Sequence, residues 1–174
     1  EMRFTKMTMD MLQGGNVMSF DSSKSDDELD EAGKMMKAQM GPMLKATVFV
    51  KGNNLGEITE AKVEPAVMGM EDIAKQSSNV VYPTEALKVG STWTTTKSEK
   101  GMKMDFLYTV KSISNGKVLV DLSGDVSGGA LGKITGSLDI DKASGIPEKS
   151  LIDMNMTVNG QELLSKVTMT MVKK

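Results

Sequence analysis

The sequence predicts an α+β fold: a strongly curved antiparallel sheet of eight to ten strands, shaped as a half-barrel, with one or two helices on its concave face. Two observations predict this fold. Apolar and polar residues alternate over most of the chain, which is typical of strands that bury one face. Short segments rich in Gly, Asn and Ser separate these alternating stretches, as turns do between successive hairpin strands. We expect residues 1–174 to form one domain, with strands and helices over 1–80 and an antiparallel meander over 81–174.

The first strand contains an irregularity. Apolar residues stand at Met2 and Phe4 and resume at Met7, so the parity of the alternation shifts once, around Thr5-Lys6. A single inserted residue produces such a shift. The sequence therefore predicts a β-bulge at this point of the strand.

A helix is predicted over about residues 26–40. Ser25 followed by Glu28 fits a capping box, and apolar residues then recur at helical spacing. The Gly41-Pro42 pair is expected to end this helix, because proline does not continue a helix easily.

Four further elements are predicted before residue 90. A short return strand over 17–20 precedes the helix, and a hairpin of strands over 46–50 and 57–63 follows it. Pro65 opens a second, short helix, with an apolar stripe that continues to Ala74.

The second half of the chain is predicted to be strand after strand. Each strand has one apolar parity, and turn residues such as Ser114-Asn115-Gly116 and Asn159-Gly160 separate the strands. One strand begins at Trp93, and the apolar positions of the others span 102–110, 118–122, 134–140, 152–158 and 163–171.

The composition excludes several classes of function. The chain has no cysteine and no histidine, which removes the usual zinc sites, disulfides, Ser-His-Asp and Cys-His nucleophiles and imidazole acid–base catalysis. Arg3 is the single arginine and the net charge is −2. The chain therefore has almost no guanidinium groups for bidentate recognition of phosphate or guanine. We therefore expect no enzymatic activity, no nucleic-acid partner, no cofactor and no metal site built from the usual ligands.

Two motifs in the second half carry a resemblance to a known group of proteins. Tyr82-Pro83 precedes Val89-Gly90-Ser91-Thr92-Trp93, and Gly136-Ser137-Leu138-Asp139-Ile140-Asp141 leads into Ser144-Gly145. On these residues the chain resembles an uncharacterised family of exported proteins and lipoproteins of Gram-negative bacteria. The resemblance implies export and this architecture but no reaction. The strand-turn-strand tail is also similar to lipoprotein-carrier-like folds, in which a curved sheet can hold an acyl chain; that analogy concerns shape only.

Methionine is the compositional anomaly, with 17 residues. Several occur as Met-x-Met pairs in predicted strands, which places both thioethers of a pair on one face. Three interpretations stay open: methionines that only fill the core, a deformable apolar binding surface, and a thioether site for Cu(I). The predicted ligand-binding residues on the sheet and the helix 26–40 are Met36, Met40, Met102, Met104, Phe106, Met154 and Met156.

The sequence thus predicts an exported, non-catalytic protein that binds a lipid or another apolar ligand between sheet and helix. The alternative is a structural or protein-interaction module of the cell envelope, with an envelope protein as its partner and no small ligand. The chain starts inside a predicted strand, so we expect a removed leader and a periplasmic location or an outer-membrane anchor at the N-terminus.

Overall fold

A computed structural model describes residues 2–13, 16–52, 58–68, 70–71, 80–99 and 101–171. In these residues ten antiparallel strands form a single open sheet, and one α-helix lies beside it. The strands are β1 (Met2–Gln13), β2 (Asn16–Asp21), β3 (Thr47–Gly52), β4 (Ile58–Glu64), β5 (Thr92–Glu99), β6 (Met102–Ser114), β7 (Lys117–Gly128), β8 (Leu131–Asp141), β9 (Pro147–Val158) and β10 (Gln161–Met171), and the helix is α1 (Glu31–Lys45).

The sheet joins the two ends of the chain. Its order is β4-β3-β1-β10-β9-β8-β7-β6-β5, and β2 also pairs with β1. Strands β5 to β10 form a meander in chain order, as the sequence predicts. The first strand then pairs with the last, so the N-terminal and C-terminal parts share one sheet.

The predicted bulge in β1 is confirmed. The register of β1 against β10 shifts between Phe4 and Lys6, which brings Phe4 opposite Met169 and Met7 opposite Val167. Because of this shift, residues before and after the bulge keep the same parity relative to β10.

One face of the sheet, which we call the inner face, carries the apolar residues. A row of paired residues crosses it from Val110 through Val120, Leu138 and Ser150 to Met169. None of these five residues is more than 6% exposed. The opposite, outer face carries the ion pairs between strands, for example Lys111 with Asp121 and Lys166 with Asp153.

Two hydrophobic clusters lie along the inner face. The β3–β4 cluster comprises Ala46, Val48, Val63, Met70 and Met169, with the end of α1 packed against it through Met43 and Leu44. The β5–β9 cluster comprises Val80, Trp93, Tyr108, Val110, Val120, Leu122, Val126, Ala130, Ile134, Leu138 and Ile140.

The helix differs from its predicted bounds. It begins at Glu31, with the Asp30 carboxylate accepting the backbone N–H of Gly33 at 2.7 Å, and it continues through Gly41-Pro42 to Lys45. Ser25 and Glu28 do interact as predicted, since the Glu28 carboxylate accepts the Ser25 N–H at 2.9 Å, but they bracket a separate 3-10 turn. The prediction that Gly41-Pro42 ends the helix was wrong because a proline in the last turns removes one N–H without preventing the helix from finishing.

Some predicted elements fall outside the described residues. These are the centre of the β1–β2 turn at residues 14–15, the β3–β4 connection at 53–57 and the end of the predicted second helix, within 72–79. The prediction that this helix begins at Pro65 was wrong, because residues 65–68 are irregular and the described helical residues are Met70 and Glu71. Val67 and Met70 pack into the β3–β4 cluster.

Gly132 marks a close approach of two strands on the inner face. A Cβ atom built at this position would overlap the backbone oxygen of Asn155 and lie 2.7 Å from Cα of Met156, both on β9. Backbone atoms cannot move aside as a flexible side chain can, so only glycine fits here without displacing a strand.

We therefore predict that Gly132→Ala lowers the free energy of unfolding by about 2 kcal/mol through forced separation of β8 and β9. Gly41→Ala is the matched control, because nothing lies within 4 Å of its built Cβ atom and alanine favours a helix. Urea denaturation monitored by circular dichroism measures both variants. Equal stability of the two would contradict the close approach of β8 and β9.

Candidate ligand-binding face

The five predicted site residues on the sheet share the inner face. Met104 is linked in register to Met156 through Val126 and Gly132. In the neighbouring row, Phe106 is linked to Met154 through Gly124 and Ile134, and Met102 precedes Met104 by two residues on β6. All five pack against the β5–β9 cluster.

These five residues lie at the less buried end of that cluster. Each of them is half-buried, whereas the row from Val110 to Met169 is almost completely shielded from solvent. The five side chains are therefore the more exposed part of the inner face of β6–β9, although Val126 and Ile134, which lie between them on β7 and β8, are each only 4% exposed.

The two helical site residues lie elsewhere. Met36 and Met40 are on α1, which packs mainly on β2 and β1, and neither packs against the β5–β9 cluster. Strand β6 is five positions from β1 in the sheet, or about 24 Å at the usual strand spacing. The structure does not bring these two methionines together with the five sheet residues, because β1 inserts beside β10 and carries the helix away from β6.

The Met-x-Met pairs of β6 and β9 are likewise separated. Two strands, β7 and β8, lie between them, and no methionine occurs on either strand. A Cu(I) site needs convergent soft ligands, and the register does not place these two pairs side by side. Among the described residues, no group of three or more carboxylates is arranged to hold a metal ion either.

Aromatic side chains close the buried end of the cluster. Trp93 stacks on Tyr108 with ring centroids 4.9 Å apart and an angle of 8° between the planes. Tyr82, from the segment before β5, lies tilted against Trp93 at 6.0 Å. Its hydroxyl group donates a hydrogen bond of 2.9 Å to the backbone oxygen of Gly145.

The first motif of the resemblance, Val89 to Trp93, forms the turn that leads into β5. Ser91 N–H donates to the backbone oxygen of Lys88 at 2.9 Å, and the Lys88 N–H donates back to the Ser91 hydroxyl at 3.0 Å. Gly90 has a φ of +85°, a conformation that favours glycine. This turn sets the register that points Trp93 toward the inner face.

The second motif forms the turn after β8. The Asp141 carboxylate accepts the N–H of Ser144 at 3.2 Å and its hydroxyl at 2.5 Å. Gly145, at a φ of +69°, then presents its carbonyl oxygen to Tyr82. The two motifs therefore meet in space, with Tyr82 between Trp93 and Gly145.

Both motifs lie in the part of the chain that matches a known protein family. A family of unknown function, DUF6263, matches residues 67–163, more than half of the chain. The chain belongs to this family. The matched part includes both motifs and strands β5 to β9 completely. No curated protein and no solved structure matches the chain significantly, so DUF6263 membership is what the comparisons establish.

The outer face of this DUF6263 protein carries a groove of about 410 Å³. Its lining mixes apolar and polar groups and includes Asp10, Lys133, Asp153 and Lys166, of which Lys166 and Asp153 form an ion pair at 3.2 Å. Such paired, well-hydrated charges contribute little to stability and are ordinary on the solvent side of a sheet. Most of these lining residues occupy outer positions of the sheet, but Met154 of the five sheet residues also contributes to the lining.

The carboxyl groups with shifted pKa values in the described part of the chain have polar partners. Hydrogen bonds and ion pairs lower the pKa of every described carboxyl group that is shifted, with Asp21 lowered to about 2, chiefly by its hydrogen bonds to Ser23. The helix in the described part of the chain is too short and too polar to cross a membrane.

The tyrosines give a direct test of the aromatic arrangement. Tyr82 and Tyr108 are the only tyrosines in the chain, and burial raises the pKa of both phenols above their ordinary value. The folded protein therefore disfavours the phenolate, so this contribution to stability is complete below about pH 10 and is lost as the pH rises above it.

We predict that absorbance at 295 nm shows less tyrosine ionisation in the folded protein at pH 10 than in the protein unfolded in urea, which is about half ionised at that pH. The Tyr82→Phe and Tyr108→Phe variants assign the signal to each phenol. A folded-state titration with a midpoint near pH 10 would show that both rings are exposed to water.

Proposed function

We propose that this DUF6263 protein is an exported, non-catalytic protein that binds a lipid or another apolar ligand on the methionine-lined part of the inner face. One observation supports this proposal above the others: Met102, Met104, Phe106, Met154 and Met156 form a half-buried apolar surface that continues the buried cluster. A partly exposed apolar surface that continues a buried cluster suits the binding of an apolar ligand.

The side chains on this surface are suited to repacking. Gly132 contributes no side chain between Val126 and Met156, and Cγ of Met156 lies 3.0 Å from where a Cβ of Gly132 would be. Methionine is flexible and polarisable. Rotation of Met156 away from Gly132 would open space for an acyl chain without moving the backbone.

The proposal includes a sheet that curves around the inner face as a half-barrel. Gly124, Gly132 and Gly136 occupy inward positions on β7 and β8, and a Cβ at Gly136 would overlap the backbone oxygen of Leu151 on β9. Inward glycines at close strand approaches are typical of bent sheets. We place the ligand on the concave side, with segment 80–90 covering one end; α1 covers another part of the same face, over β1 and β2.

The absence of histidine and cysteine supports a binding function rather than catalysis. The shifted carboxyl groups, including those of Asp21 and Asp105, lie among polar partners, which lower their pKa values. A general acid working near neutral pH needs a raised pKa, and these groups have the opposite environment.

Export is proposed from the motif resemblance. A periplasmic or outer-membrane location fits a lipid-binding role, and membrane contact would then occur only through an N-terminal anchor. Fractionation of cells that express the complete gene product tests this location. Recovery in the periplasmic or outer-membrane fraction is expected, and recovery with a cytoplasmic marker would contradict export.

Methionine oxidation provides the test of ligand binding, because the methionine side chains of the proposed surface themselves report whether they are covered. Hydrogen peroxide converts exposed methionine to its sulfoxide, and peptide mass spectrometry measures each residue separately. We predict that saturating laurate or dodecanol slows oxidation at the sheet methionines of the proposed surface, which are Met102, Met104, Met154 and Met156.

Three other methionines are internal controls. Met35 and Met68 are exposed, at 65% and 102%, and lie outside the proposed surface, so their oxidation should not change. Met70 is fully buried, so its oxidation reports any loss of folding. Protection at Met35 and Met68 as well as at the sheet residues would indicate an effect of the amphiphile on the peroxide chemistry.

The same experiment distinguishes the competing function. If neither laurate nor dodecanol protects the four sheet methionines, the binding proposal is wrong, and these residues serve packing or contact with a protein partner.

A further inference from the structure

Helix α1 carries two methionines on the face that it turns toward the sheet. Met36 and Met40 are both half-buried, whereas the neighbouring Met35 is 65% exposed. A spacing of four residues puts Met36 and Met40 side by side on one face of the helix. The strands that α1 contacts are mainly β2 and β1. The half-buried face of the helix therefore directs these two methionines toward the β1–β2 hairpin.

Contacts on either side of these methionines locate the helix. The Lys37 ammonium group pairs at 2.8 Å with Asp26, which belongs to the 3-10 turn between β2 and α1. The last turn of the helix packs on the β3–β4 cluster through Met43 and Leu44. The middle of α1 therefore lies over the hairpin, between the turn that follows β2 and the cluster that begins at β3.

The hairpin presents two further methionines on its inner face. The register pairs Met9 with Phe20 and Met11 with Met18, so Met9 and Met18 are diagonal neighbours, about 7 to 8 Å apart at their Cα atoms. Both are half-buried. Phe20 is 2% exposed, and Met9 also lies opposite the buried Ser165 on β10. These contacts place Met9 and Met18 on the covered side of the sheet.

This arrangement brings soft ligands together from two elements. Thioether sulfur is a soft, neutral donor that favours Cu(I) over Zn²⁺, Mg²⁺ or Ca²⁺. The chain has no cysteine, so methionine supplies its only soft ligands. Methionine side chains are flexible, and those of a helix and of the strands beneath it can turn their sulfur atoms toward one ion without movement of the backbone.

We propose that Met9, Met18, Met36 and Met40 form a Cu(I) site between α1 and the β1–β2 hairpin. This activity is independent of the proposed lipid binding, because none of the four residues belongs to the methionine-lined surface of β6–β9. The Met-x-Met pairs of β6 and β9 lie two strands apart and side by side with no helix, whereas here the helix supplies ligands from above the sheet.

The first test is an anaerobic titration with Cu(I) in competition with a chromogenic Cu(I) chelator. It compares the wild-type protein with Met36→Leu and Met18→Leu, because leucine nearly preserves the side-chain volume and has no sulfur. Loss of a group that only supports a metal ligand commonly weakens metal binding about ten-fold, so we expect at least that loss in each variant. Met35→Leu is the matched control and should bind Cu(I) as the wild type does.

The second test uses the wild-type protein alone and so does not depend on the folding of a variant. Ag(I) serves as an air-stable ion that prefers the same soft ligands, and a sulfur atom bound to it is protected from hydrogen peroxide, which otherwise forms the sulfoxide. Peptide mass spectrometry should show slower oxidation at Met9, Met18, Met36 and Met40 when Ag(I) is present. Oxidation at the exposed Met35 should not change.

Three results would overturn the inference. The wild-type protein could fail to compete with the chelator for Cu(I). Met35→Leu could weaken binding as much as Met36→Leu, or Ag(I) could protect Met35 equally, which would show that any exposed thioether binds the ion. Binding that survives in both Met36→Leu and Met18→Leu would place the ion elsewhere. In each case the four methionines serve the packing of α1 on the sheet, and the lipid-binding proposal is unaffected.

Discussion

The hydrogen-bonded register of the sheet is the constraint on which the other features depend. Because side chains alternate along a strand, a shift of one residue between neighbours would turn a whole strand's apolar set toward solvent. The described strands avoid this by keeping rows in line over the meander, as from Val110 to Met169. Where the spacing departs from strict alternation, a bulge restores the parity, as between Phe4 and Lys6.

Because the register places the apolar side chains on one face, that face must be shielded from water. A sheet with one apolar face must bury that face against something, and the described chain covers it from two sides. Helix α1 lies over β1 and β2, and Tyr82 and Leu87 pack on the β5–β9 cluster. The methionine-lined part lies between these covers and remains half-buried. The proposed function follows from this distribution of cover, since an acyl chain would complete the burial of the exposed part.

The family motifs contribute to the same arrangement. Their turns position Trp93 at the start of β5 and bring the carbonyl oxygen of Gly145 to the Tyr82 hydroxyl. Both motifs therefore act on the aromatic end of the β5–β9 cluster.

Much of the fold could be predicted from the sequence, because strand parity is a local signal. The change of parity between Phe4 and Met7 was enough to predict the bulge, and the meander from β5 to β10 followed from its turn residues. The pairing of β1 with β10 was not predictable, since it depends on contacts between the two ends of the chain. That pairing takes α1, and with it Met36 and Met40, away from the sheet methionines.

The face on which Lys97 lies was also hidden in the sequence. A lysine within a Thr-rich strand such as Thr94-Thr95-Thr96 is normally solvent-facing, and only the pairing of Lys97 with Met104 shows that it shares the apolar face. The need for glycine at the inward positions could not be predicted for a similar reason. At Gly132 this need arises from the backbone oxygen of Asn155, which lies on the next strand.

The most direct test of the central claim is native mass spectrometry of the protein purified from its own cells, before and after organic extraction. The account predicts a bound lipid or other apolar species that is lost on extraction, and binding of laurate when laurate is added to the extracted protein. A protein that carries only its polypeptide mass before extraction, and takes up no laurate afterwards, would contradict it.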